Sequence, residues 1–247
     1  MISDKERFDK LCEECADICA EGRSIGTYNE KRLHILLKRF VCENDGNYEI
    51  SVGKCVADVV CDGIISEIQT ASLYPLKPKL EYYLKNTDYS VNVIKPVIVS
   101  KRIVRVDSET GEVIRIRRSP KRVGISDVMS DISYISDAVK NDRLSILVFY
   151  IEADEYRYSD ERVRYRKSGK FDSELFPRAL IDIEIYKGVS SYKFLLDGCK
   201  EAFTAKEYGK QKGFVGRALY RTLGLLCDIG LLERERVGRS YEYRIIK

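Results

Sequence analysis

Apolar and polar positions recur along this chain with two periods, and the clearest change between them lies in its first third. From Cys55 to Thr70 the sequence reads C-V-A-D-V-V-C-D-G-I-I-S-E-I-Q-T, two β-branched runs around Asp62-Gly63. That dipeptide tolerates the positive φ of a tight turn, so the pattern predicts a β-hairpin. Upstream, Asn29 to Phe40 reads N-E-K-R-L-H-I-L-L-K-R-F, with Leu33, Leu36, Leu37 and Phe40 at helical spacing. Asn29 can cap this helix, which ends before Glu43-Asn44-Asp45-Gly46-Asn47, and Tyr48 to Val52 follows as a strand. Residues 4 to 20 predict an earlier helix. After Thr70, Tyr74-Pro75-Leu76-Lys77-Pro78 opens a helix with its body at Lys79 to Lys85, and Ser90 to Ile98 returns as a strand. Strand, helix and strand in that order predict a parallel crossover.

Farther along, Lys101 to Val106 and Glu112 to Arg117 predict a second hairpin. Asp127 to Val139 predicts a helix with Val128, Ile132, Ile135 and Val139 inward, and Leu144 to Ile151 a strand. Glu152 to Phe171 is a charged hairpin or extended arm. Beyond it come a short helix capped by Thr204, a turn at Gly213 to Gly216, a helix from Arg217 to Asp228, and two strands around Val237-Gly238-Arg239-Ser240. Helix, turn, helix and β-ribbon resemble a winged-helix domain, whose second helix would enter a DNA major groove. The chain then divides into an N-terminal helical extension (1–28), an α/β core with basic hairpin insertions (29–177) and a winged-helix unit (178–247).

Candidate chemistry changes the picture at the central hairpin. Asp58 and Glu67 are carboxylates inside strands that otherwise read as buried, and each carries a desolvation cost of several kcal/mol unless a cation or hydrogen bonds compensate it. Alternation puts Glu67 and Gln69 on one face, and the hairpin can bring Asp58 beside Glu67. Glu30, His34 and Lys38 fall at i, i+4 and i+8, so one polar stripe of their helix can face the same carboxylates. An ordinary strand edge and a packed histidine are the alternatives.

The order helix glutamate, hairpin aspartate and Glu-x-(Lys/Gln) resembles the PD-(D/E)XK nuclease superfamily, and D-G-I-I-S-E-I-Q-T is similar to the core of competence-protein CoiA-like nucleases. The resemblance implies a restriction-endonuclease-like α/β (α+β) fold, a mixed sheet flanked by helices. It implies Mg²⁺ or Mn²⁺ held by Asp58, Glu67 and the Ile68 carbonyl, with Glu30 acting through metal-bound water and Gln69 at the position usually held by lysine. Glutamine carries no positive charge, so Lys38, Lys77 or Lys79 would have to supply it from a neighbouring element. The expected activity is Mg²⁺-dependent hydrolysis of DNA phosphodiesters. The alternatives are a nuclease fold that has lost its chemistry and serves as a DNA-binding or regulatory protein, and a protein-interaction module.

Composition narrows this only a little. The net charge of +4 is too small to prove nucleic-acid binding, but its distribution is uneven: Lys101 to Arg122 and Tyr156 to Lys170 are rich in Lys and Arg. Arg117, Arg118, Lys121, Arg122, Arg217, Arg221 and Arg239 are the candidate DNA contacts, although exposed strand edges carry the same pattern. No apolar run approaches a membrane span, and the charged start at Met1 has no secretory pattern, so a cytoplasmic protein is expected. DNA is the implied partner, a second copy of the chain is allowed, and a membrane is not. The eight cysteines then do not predict disulfides. Cys12, Cys15 and Cys19 fit the apolar side of a helix better than a metal cluster.

Overall fold

The computed structural model describes residues 3–20, 29–107, 109–120, 123–159 and 173–246, with side chains described for all of these except 15–20, 29–31, 159, 173 and 174. Helices α1 (Asp4–Ala20) and α2 (Asn29–Val41) lead into strands β1 (Tyr48–Val52), β2 (Cys55–Cys61) and β3 (Ile64–Ile68). Then come α3 (Lys77–Asn86), β4 (Ser90–Asp107), β5 (Val113–Arg118), α4 (Ile125–Ile132), α5 (Ser136–Val139), β6 (Leu144–Ser159) and β7 (Ser173–Lys187). The C-terminal part holds β8 (Ala202–Thr204), α6 (Ala205–Lys212), α7 (Gly216–Asp228), β9 (Leu232–Val237) and β10 (Ser240–Ile245).

The first seven strands form one mixed sheet in the order β1-β2-β3-β4-β6-β7, with β5 also on β4. The β2–β3 turn has Asp62 at φ 50° and Gly63 at φ 76°, the paired positive φ values that suit a two-residue hairpin. Strand β3 runs parallel to β4 across α3, and β4 runs parallel to β6 along its whole length. One edge of β4 is shared: β3 pairs with Ser90 to Ile94 and β5 with Arg102 to Val106. On that edge, among the described residues, no strand pairs with Lys95 to Lys101. The amide of Gln69 donates to Ile94 O, so by alternation Pro96, which has no N–H, faces the gap and ends the ladder.

Helices cover both sheet faces. Leu33, Leu36, Leu37 and Phe40 of α2 and Phe8 of α1 bury one face with Val59, Ile68, Ile94 and Phe149. Phe8 is fully buried and meets Phe40 edge to face at 5.9 Å. The first helix is therefore part of the core rather than an add-on. The opposite face carries α3, α4 and the C-terminal part in a single continuous cluster that includes Ile65, Val93, Leu80, Ile132, Leu223 and Tyr243. Arg143 binds α3 to the start of β6 through the carbonyls of Leu84, Thr87 and Tyr89, a cation at the negative end of the helix.

Three expectations are corrected. The helix expected over 127–139 breaks at a 3-10 turn, Ser133–Ile135, while its four inward residues are all buried. The boundary at 178 falls inside β7, which pairs with β6 from Ser173 to Lys187, so the large sheet extends ten residues past it. The C-terminal helices and ribbon follow the expected order, with Thr204 capping α6 through the Glu207 amide and Glu207 returning to the Thr204 amide. They do not stand apart, however: α7 packs on α4, and Ser136 Oγ donates to Asp228 Oδ2 at 2.9 Å. No helix among the described residues is long and apolar enough to cross a membrane.

Candidate active site

The hairpin places three acids in one transverse row. The β1–β2 register sets Glu49 opposite Asp58, and the β2–β3 register sets Asp58 opposite Glu67, yet neither position forms a ladder pair. Glu49 is at φ 52°, a left-handed conformation that costs a non-glycine residue roughly 1–2 kcal/mol. The sheet is distorted on both sides of Asp58. Its carboxylate takes the place of a backbone partner: Oδ2 accepts the Ile68 amide at 2.8 Å and lies 3.3 Å from His34 Nε2.

Each acid in the row meets a different base. Glu49 pairs with Lys38, Asp58 with His34, and Glu67 with Lys79 of α3, whose Nζ is 2.6 Å from Oε2. Tyr83, one turn beyond Lys79, donates its hydroxyl to Glu67 Oε1 at 3.0 Å. Glu67 is only 1% exposed. Burial pushes its carboxyl up to about 7, with Asp58 adding to the rise and the bonds from Lys79 and Tyr83 opposing it. Burial also pushes on Asp58, but its bonds to His34 and the Ile68 amide prevail and hold it below the ordinary aspartate value. The pair therefore separates into one strong acid and one that titrates near neutrality, a division found at sites of proton transfer and metal binding.

The predicted residues are brought together selectively. Asp58 and Glu67 are opposed across β2 and β3, but Asp58 is held by the Ile68 amide and by His34 of α2, the helix of one sheet face, and Glu67 by Lys79 and Tyr83 of α3, the helix of the other. The side chain of Glu30 lies outside the described residues. Lys38 faces the row but is spent on Glu49. Lys77 is not at the site, since it pairs with Asp137 at 3.1 Å. Gln69 directs its amide to Ser72 O at 2.9 Å, into the loop after β3. The cation at Glu67 is thus Lys79, delivered by the following helix and not by the strand. Tyr83 and Glu49 were missed. The i, i+4 spacing of Lys79 and Tyr83 was the available signal for the first, whereas no residue type announces a left-handed glutamate.

Asp58, Glu67 and the Ile68 carbonyl offer hard oxygens of the kind a divalent cation takes, while both Glu67 oxygens are bonded to Lys79 and Tyr83. Among the described residues no three His, Cys, Asp or Glu side chains already converge in a metal-ready group.

A cleft of about 570 Å³ opens at the unpaired edge of β4, lined by Thr70, Ser72, Lys95, Lys101, Tyr134 and Arg217 among others. Lys95 is nearly buried and pairs with Asp131 at 2.7 Å. Asp131 also accepts Ser72 Oγ and the Leu73 amide, fixing the loop that begins at Gln69. Arg221 lies over the Tyr134 ring at 3.9 Å, and Tyr134 meets the exposed Tyr74 ring at 5.5 Å. Arg221, expected on a duplex-facing surface, is therefore engaged within the molecule. Arg217 is exposed at the cleft mouth, and Arg239 is exposed in the β9–β10 turn. Arg117 and Arg118 are exposed on opposite faces of β5, while Lys121 and Arg122 lie outside the described residues.

One family profile, described as a domain of unknown function (DUF8091), matches residues 31–186, the stretch from α2 to the end of β7. No curated protein and no solved structure matches the chain.

Proposed function

The chain belongs to the DUF8091 family, and from that premise we propose that it is a metal-dependent DNA nuclease in which Lys79 takes the place of the strand lysine. One observation carries this reading: the ladder parts around Asp58, opposite a buried Glu67 that is held by Lys79. Two carboxylates of unlike acidity beside one ammonium form a donor set suited to Mg²⁺ or Mn²⁺.

A bound divalent ion would polarise the scissile phosphate and lower the pKa of a water. The chain's own groups do the rest. Asp58 stays ionised and is oriented by the Ile68 amide and His34. Lys79, once it releases Glu67, places positive charge where the transition state gathers negative charge. Tyr83 keeps Glu67 oriented during that exchange. Gln69 and Ser72 shape the loop that follows β3 and borders the cleft. The β8–β10 segment would act as a winged helix, with Arg217 and Arg239 contacting backbone phosphates.

A second reading is favoured by the closure of Glu67: with both oxygens bonded inside the protein, the fold could bind DNA without cutting it. The test measures cleavage of duplex, single-stranded and branched DNA by wild type, Asp58→Asn and Glu67→Gln in Mg²⁺ and Mn²⁺, with circular dichroism as the folding control. Cleavage by wild type with at least about 100-fold loss in both variants is expected. Intact DNA with every protein would replace the nuclease reading with the second one, and equal cutting by all three would remove Asp58 and Glu67 from any cutting site.

A further inference from the structure

Beyond the core, β4, β5 and the outer part of β6 form a ribbon whose two faces differ in charge. Alternation along β4 puts Lys101, Ile103 and Arg105 on one face. The register adds Arg117 opposite Ile103 and Arg115 opposite Arg105 from β5, and Glu155 opposite Ile103 and Arg157 opposite Arg105 from β6. Arg115, Arg105 and Arg157 thus form a transverse row over three strands. Arg105, Arg115, Arg117 and Arg157 surround one small depression with Ile103 at its floor.

Glu155 lies among these cations and is committed to Lys101 and Arg157, and Asp107, at the end of the same face of β4, is turned to the Glu109 and Thr110 amides. Five cations against these two acids leave the face positive. No described acid pairs with Arg105, Arg115 or Arg117. Like charges directly opposite one another on adjacent strands destabilise a sheet, and a ribbon needs no such row for its own folding. The opposite face shows the usual remedy: Arg102 donates to both oxygens of Asp154. A row left without acids among the described residues suits a polyanion. Lys101 also lines the cleft, which continues to Lys95, Arg217 and the loop after β3. Through Lys101 the positive face runs on into the cleft beside the loop after β3.

We infer that the Lys101, Arg105, Arg115, Arg117 and Arg157 face is a binding track for the sugar–phosphate backbone of a nucleic acid that leads into the cleft. The inference rests on the proposed DNA substrate for its ligand but not on catalysis. Arginines presented in a row, with apolar residues between them and no base-reading groups at fixed positions, suit backbone contacts independent of sequence. Arg118 is on the other face and has no part in the track.

The experiment measures binding of fluorescently labelled DNA by anisotropy in EDTA, from 50 to 200 mM NaCl, in the Glu67→Gln background. With about four phosphates neutralised, log K should fall with log salt at a slope near −4, roughly a 100-fold loss over that range. Arg115→Thr with Arg117→Thr should weaken binding at least about 10-fold at the lowest salt and reduce the slope by about two. Arg118→Thr should do neither. Unchanged affinity and slope in the double variant, an equal loss with Arg118→Thr, or no binding by the parent protein would each overturn the track. DNA binding with the expected slope change, alongside no cleavage by wild type, would retain the track and remove only the nuclease reading.

Discussion

Lys79 Nζ lies 2.6 Å from Glu67 Oε2, so the charge that neutralises the buried acid of β3 comes from the first turns of α3. Because Lys79 and the strand glutamate belong to consecutive elements, a shift of α3 by a fraction of a turn would separate them. The same helix brings Tyr83 to the other oxygen. The pairing thus couples packing of the crossover helix to the ionisation of the sheet.

Glu67 should make stability depend on pH in a direction opposite to that of most carboxylates. Its folded value of about 7 exceeds the ordinary value of 4.5, so the folded chain holds an extra proton between them. Stability attributable to this group is then greatest below about 4.5, declines as pH rises to about 7, and stays reduced above that. Unfolding free energies of wild type minus Glu67→Gln should fall by roughly 3 kcal/mol from pH 4 to pH 8. A difference that is flat with pH would show that the Glu67 carboxyl titrates alike in the folded and unfolded chain.

Lys79→Ala should reduce cleavage by at least about 100-fold while changing DNA affinity less than about 2-fold, because it removes a charge beside the carboxylates and none from the binding surface. Gln69→Lys should give no gain, since that side chain is directed to Ser72 O. Steady-state cleavage rates decide this. A rise in activity with Gln69→Lys would mean that the strand position still serves the site.

Arg217 and Arg221 should behave differently although they lie one turn apart. Arg221→Ala loses the contact with Tyr134 and lowers stability by about 1 kcal/mol. Arg217→Ala should alter stability by less than about 0.5 kcal/mol and weaken DNA binding instead. Thermal melts and anisotropy measured on the same two variants separate the effects.

Cys42 and Cys61 should join under oxidation. Their sulfurs are 3.2 Å apart. Bonds from Asn47 and Cys61 outweigh burial and lower the Cys42 thiol, while the bond with Cys42 raises Cys61 to about 11. A disulfide needs the sulfurs to close by roughly 1 Å. Treatment with diamide, which takes up the two hydrogens, should yield a Cys42–Cys61 cross-linked peptide by mass spectrometry, absent in Cys42→Ser. Free thiols after prolonged treatment would mean that the ends of α2 and β2 are held too firmly to approach.

Much of the fold was legible where local chemistry and periodicity agree. Asp62-Gly63 marked the hairpin, and the leucines of α2 marked its buried face. Asp58 and Glu67 could be identified because a carboxylate in an apolar strand is costly without a partner. The choice of Lys79 over Lys77 was not legible, since it depends on how α3 is rotated on the sheet. Glu49 was hidden because its role requires a backbone conformation no residue type signals. The boundary near 178 failed because β7 contains Arg178, Asp182 and Glu184 among its apolar residues, which masks a continuous strand. Cys42 and Cys61 meet through tertiary packing and share no motif spacing.

Pro96 has a consequence for the molecule's behaviour at high concentration. The bare stretch of β4 between β3 and β5 would otherwise present amides and carbonyls to any extended peptide, the usual seed of strand exchange between copies. By withholding a donor at that edge, Pro96 leaves a slot that accepts side chains and phosphates but zips poorly with another backbone. Solubility and an accessible cleft would then have the same origin, one imino acid in the middle of the longest strand.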